Sequence, residues 1–131
     1  MTPLPRPQRI VTAEFYRTAS GNEPVRAWLK TLSLEDRQAI GIAVRKVEYG
    51  WPIGMPTCAA MGNGLWEIRI PLRDRIARLL FCPAGPRVVL LHGFIKKTQV
   101  TPKPELDVAR ARHADLLARL HRRPGAMAGR A

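Results

Sequence analysis

The chain has 131 residues, 46% of them hydrophobic, which suits one compact domain and leaves no room for a second independent core. Twenty-two Lys and Arg against ten Asp and Glu give a net charge of +12, which points to a polyanionic partner, nucleic acid foremost, rather than a neutral metabolite. Two cysteines and three scattered histidines form neither a disulfide framework nor a paired-cysteine ligand set, so a reduced protein with no metal and no cofactor is expected.

Residues 1–9 hold three prolines and no periodicity, and read as a flexible arm. From Ile10 to Arg17 the chain is rich in β-branched and aromatic residues, which predicts a strand ending at Ser20-Gly21-Asn22. Asn22 is the expected cap of a short helix with Pro24 in its first turn, and Val25, Trp28, Leu29 and Leu32 give that helix one apolar stripe. Ser33 to Asp36 resembles a capping box, and Ile40, Val44 and Val47 carry a second helix to Gly50. Residues 51–64, with three glycines and two prolines, read as a long loop.

Beyond the loop the pattern turns strand-like. Leu65 to Ile70 and Arg75 to Cys82 flank a turn at 71–74, and a second turn at 83–86 leads into a third strand from Arg87 to Lys97. Pro102 and Pro104 end it, and Leu106, Ala109, His113, Leu117 and Leu120 mark the apolar face of a last helix. The fold class is therefore α+β: one domain over 10–120 in the order β-α-α-β-β-β-α, a small mainly antiparallel sheet with the first two helices on one face, and a basic flexible tail at 121–131. No apolar run approaches the roughly 20 residues of a membrane span, and the N-terminus lacks a signal-peptide core, so a cytoplasmic location is expected.

The charge is uneven. Residues 1–68 carry eight basic and six acidic side chains, residues 69–131 fourteen and four, so the basic surface is expected on the sheet and the C-terminal segment. If the first hairpin turns about Arg73 and Asp74, Trp66 faces Phe81, Ile68 faces Leu79 and Ile70 faces Ala77, which builds an apolar face. The same register sets Arg69 opposite Arg78 on the other face, with Glu67 two residues along. Like charges opposed across a ladder destabilise it unless an anion sits between them. Two guanidiniums so placed would clamp phosphate oxygens and stabilise charge on a pentacoordinate phosphorus, with Glu67 orienting an arginine or taking a proton. The competing reading is a solvated face with a salt bridge worth about 0–1 kcal/mol.

His92, Phe94 and Lys96 share one parity on the third strand, and Lys97 takes the other. A histidine moves protons near neutral pH, a phenylalanine stacks on a base, and a lysine binds phosphate or acts as acid or base. His92 and Phe94 equally fit a hydrogen-bonded core histidine and a core aromatic. Arg75, at the start of the second hairpin strand, joins His92 and Phe94 as a substrate-binding candidate.

Leu65-Trp66-Glu67-Ile68-Arg69, Arg78 within an apolar strand, and His92-Gly93-Phe94-x-Lys96-Lys97-Thr98-Gln99-x-Thr101-Pro102 together resemble the phage-derived, HigB-like branch of the RelE/ParE toxin superfamily over residues 10–120. That resemblance implies a RelE-like fold and the toxin of a type II toxin–antitoxin pair: a metal-independent endoribonuclease that cleaves mRNA on the ribosome by attack of a 2′-hydroxyl on the adjacent phosphate. It implies Glu67, Arg69, Arg78, Lys96 and Lys97 as catalytic residues, and a helix-turn-helix, HigA-like antitoxin as partner. Family members often carry a lysine in the loop before the first hairpin strand, where this chain has Thr57-Cys58-Ala59-Ala60-Met61. Two other functions fit the resemblance: a non-catalytic, ParE-like inhibitor of a protein such as gyrase, and a degenerate phage-derived protein that only binds nucleic acid.

Overall fold

A computed structural model describes residues 6–96 and 100–121. The elements run β1 (Thr12–Phe15), α1 (Pro24–Lys30), α2 (Leu34–Gly50), β2 (Cys58–Gly62), β3 (Leu65–Pro71), β4 (Ile76–Ala84), β5 (Arg87–Lys96) and α3 (Lys103–His121). The five strands form one sheet in the order β1-β5-β4-β3-β2, antiparallel except for the parallel pair β1–β5. The α+β class stands, with one more strand than the sequence pattern predicts.

That extra strand, β2, lies within the stretch read as a loop. It pairs with β3 through a tight turn in which Asn63 and Gly64 have φ of 56° and 82°, the left-handed pair that a two-residue hairpin requires and that Asn-Gly supplies at little steric cost. It also fills the place where the family pattern carries its loop lysine.

The hairpin register matches the sequence argument pair for pair: Trp66 opposite Phe81, Ile68 opposite Leu79, Arg69 opposite Arg78, Ile70 opposite Ala77. Its apolar side packs under α1 and α2, with Val25, Ile40, Val47, Ile68, Leu79 and Phe81 in the core and Trp28, Leu29 and Leu32 against it. Pro24 holds the first helical position of α1, but the cap is Glu23 with no side-chain bond, because the Asn22 amide instead donates to Ser20 Oγ at 3.3 Å. Ser33 caps α2 as expected, accepting from the Asp36 N–H at 3.2 Å. The Asp36 carboxylate accepts from Arg75.

The second face of the sheet lies under α3, around Leu65, Leu80, Leu91, Phe94 and Ala109. Only part of the apolar face predicted for this helix points inward. Leu106 and Ala109 do, joined by Leu116 from outside the predicted stripe, while Leu117 and Leu120 are exposed. Along the inner side Arg112 and Asp115 reach a strand carbonyl and Tyr16 through hydrogen bonds, so polar side chains hold part of the line that periodicity alone assigns to leucines. No helix among the described residues is long and apolar enough to cross a membrane. Most of the arm at 1–9 and nearly all of the tail at 121–131 lie outside the described residues.

Candidate functional site

Strands β3 and β4 carry Glu67, Arg69 and Arg78 to the α3 side of the sheet, and the segment before α3 adds Thr101. The Arg78 Nη1 donates to Glu67 Oε1 at 2.8 Å, and the Arg69 Nε donates to the same oxygen at 3.2 Å. The Thr101 hydroxyl donates to Glu67 Oε2, and Arg78 Nη1 lies 3.5 Å from Thr101 Oγ1. The two arginines opposed across the ladder therefore share one carboxylate, which answers their mutual repulsion without an added anion.

Burial divides this cluster. The side chains of Glu67 and Arg78 are 0% and 1% exposed, whereas Arg69 keeps 34%. Neither the solvated salt bridge nor an open two-arginine clamp describes it, because Glu67 and Arg78 are buried and Thr101 takes the second carboxylate oxygen. Arg69 alone of the three reaches solvent, with its terminal nitrogens free of protein partners among the described residues.

Next to the cluster, His92 sits between two side chains of α3. Its Nε2 is 3.3 Å from Glu105 Oε1 and its Nδ1 is 3.4 Å from Arg112 Nη1. A guanidinium can only donate, so Nδ1 is the acceptor and Nε2 carries the hydrogen shared with Glu105. Burial pushes the imidazole below its ordinary pKa, Glu105 draws it up, and the charge of Arg112 pushes it down. The ring stacks on Phe94 with centroids 5.8 Å apart.

Phe94 lies opposite Arg78 but is 6% exposed and belongs to the core, so in this conformation it has no face for a base. Arg75 is not brought to the cluster; it binds Asp36 at 3.0 Å and Asp74 at 3.1 Å, because it leaves the hairpin turn beside the start of α2. Lys96 is exposed at the end of β5, opposite Ile76. Lys97 lies outside the described residues. His113 stands against the Gly64 turn, away from the bonded cluster.

Residues 27–114 match the family model described as phage derived protein Gp49-like (DUF891). The chain belongs to the Gp49-like family. That family falls within the RelE/HigB-like toxins in general. The matched region of the Gp49-like chain runs from α1 into α3 and contains Glu67, Arg69, Arg78, His92, Thr101, Glu105 and Arg112. No curated protein matches the chain.

Three residues of this cluster and its surroundings escape an argument from strand parity: Thr101, Glu105 and Arg112. Thr101 had a signal in the sequence, since it precedes Pro102 at the point where strand becomes helix, and a hydroxyl there can serve a buried carboxylate. Glu105 and Arg112 lie seven residues apart, two turns along the same helix face, which is the spacing that lets both reach one ring. The two cysteines take no part. Both are buried, and burial pushes each thiol up to about 11.

Proposed function

We propose that this Gp49-like protein is the HigB-like toxin of a type II toxin–antitoxin pair, an endoribonuclease that cleaves mRNA on the ribosome in the cytoplasm and is silenced by a helix-turn-helix antitoxin. The observation that carries the reading is Arg69. Its Nε is held on a buried carboxylate 3.2 Å away while a third of the side chain stays exposed, which fixes a guanidinium fork toward solvent before any anion arrives.

In this reaction the ribose 2′-oxygen forms a bond to the adjacent phosphorus, the bond to the 5′-oxygen breaks, and a 2′,3′-cyclic phosphate and a 5′-hydroxyl result. One proton leaves the 2′-hydroxyl and one reaches the 5′-oxygen. Arg69 holds the phosphate oxygens and the extra charge of the transition state. Lys96, and Lys97 beside it in the chain, move the protons. Glu67, saturated by Arg69, Arg78 and Thr101, is a positioning residue that sets the direction of Arg69, and Arg78 neutralises it from below. His92 and Phe94 support the strand from which Lys96 projects.

Mapping of 5′ ends on translating mRNA after induced expression tests the proposal. Cuts accompanying growth arrest, absent with Arg69→Ala and suppressed by the adjacent antitoxin, are the expected result. Growth arrest with intact mRNA would instead select a protein target.

A further inference from the structure

Helix α2 presents two faces. Asp36, Ile40, Ala43 and Val47 are buried toward the sheet. At about 100° per residue, Leu34, Ile42 and Tyr49 fall on the opposite side, where they are 64%, 61% and 41% exposed. Burial of a helix in its own domain needs only one apolar stripe, so a second one facing solvent serves something else.

Ile42 and Tyr49 line a groove of about 960 Å³ that Arg6, Arg45 and Lys46 also line. Among the described residues no acidic side chain lines it, and the three cations have no ion-pair partner. Gly41 also lines the groove, mid-helix, and a Cβ built there would meet nothing within 4 Å. Glycine weakens a helix interior relative to alanine, and no described residue fills the space it leaves; a backbone stripped of its side chain suits close approach by another molecule.

We infer that this groove docks an acidic amphipathic helix of another protein. Its apolar residues would cover Ile42 and Tyr49, its backbone would approach Gly41, and its carboxylates would meet Arg6, Arg45 and Lys46, in the manner of helix-in-groove recognition. A second copy of this chain would bring the same three cations against their own likenesses. Nucleic acid would satisfy the cations but gain little from the apolar stripe, since its contacts are mostly to phosphates. The groove lies across the sheet from Glu67 and Arg78, so an occupant leaves Arg69 uncovered, and the inference stands apart from the proposed reaction.

Fluorescence anisotropy on the full chain tests it, with a labelled helical peptide bearing leucines at i, i+3 and i+7 and glutamates on the flanks. Saturable binding is expected, weakened at least about tenfold, or ~1.4 kcal/mol, by Gly41→Leu and by Arg45→Glu combined with Lys46→Glu, in proteins whose circular dichroism is unchanged. The same peptide with lysines for glutamates should not bind. Equal binding of a scrambled peptide of the same charge would overturn the inference, because it would reduce the groove to charge alone. Light scattering that shows a dimer disrupted by Ile42→Asp would overturn it in favour of self-association, and a uridine oligonucleotide that binds more tightly than the peptide and loses affinity in the Arg45, Lys46 variant would overturn it in favour of RNA.

Discussion

Arg78 and Glu67 meet between neighbouring strands with their side chains 1% and 0% exposed and 2.8 Å between Nη1 and Oε1. Desolvating the two charges is costly, and their attraction offsets that cost only with the further bonds from Arg69 and Thr101. Removing Arg78 takes the nearest countercharge, at 2.8 Å, from a fully buried carboxylate and leaves it with the partly exposed Arg69 and the Thr101 hydroxyl. Arg78→Ala should therefore lose about 3–5 kcal/mol of stability, read as a lower urea midpoint. Glu67→Leu combined with Arg78→Met removes both charges and should recover most of that loss. An Arg78→Ala protein that unfolds at the wild-type midpoint would refute the buried pair.

Arg69 offers the opposite balance. Its own side chain is 34% exposed but the carboxylate it binds is buried, so Arg69→Ala should cost about 1–3 kcal/mol, less than Arg78→Ala because Glu67 keeps Arg78 and Thr101, and should leave the fold intact. If Arg69 holds the reacting phosphate, the same substitution should lower the rate of RNA cleavage by about 10²–10³. Single-turnover cleavage measured beside urea unfolding separates the two effects: a fall in rate that merely tracks a fall in stability would remove Arg69 from the reaction.

These two arginines also mark how far the sequence is legible. A tight hairpin fixes its own register, so the pairing of Arg69 with Arg78 follows from locating one turn. Whether the polar side of that hairpin meets water does not follow, because alternation is blind to what lies above a face. The cover comes from Thr101, 34 residues from Glu67, and from α3, whose inward polar residues break the apolar pattern. Strand β2 was hidden by composition: Cys58-Ala59-Ala60-Met61-Gly62 lacks the β-branched residues that mark strands, and its one clear signal was the Asn63-Gly64 turn. Arg75 looked like part of the basic face because nothing in the sequence announces that Asp36, 39 residues away, will bind it.

Gly93 lets β5 pass close beneath Trp28 of α1. A Cβ added there would lie 2.3 Å from the Trp28 ring, and that ring is itself packed against the core. Gly93→Ala must push Trp28 or β5 aside, an overpacking cost of about 1–3 kcal/mol or more. Chemical denaturation should show the loss, and Gly93→Ala in a Trp28→Leu background should show less of it, since the flat ring is the obstacle.

The imidazole clamp on α3 makes stability depend on pH. Burial first, and then the charge of Arg112, push His92 below its ordinary 6.5 against the pull of Glu105, while burial and the charge of Arg110 lower His113. For a base whose folded pKa is depressed, the unfolded chain takes up the proton first as pH falls. The stabilisation is therefore complete above about 6.5 and is lost as pH drops through the lower folded value. Unfolding free energies from urea titrations between about pH 7.5 and about pH 5, above the ordinary range of Glu, should decline toward acid. His92→Gln should flatten more of that decline than His113→Gln, because His92 is held from both ring nitrogens and must give up the Arg112 contact when Nδ1 is protonated. A slope unchanged by His92→Gln would mean that His92 is not the group responsible.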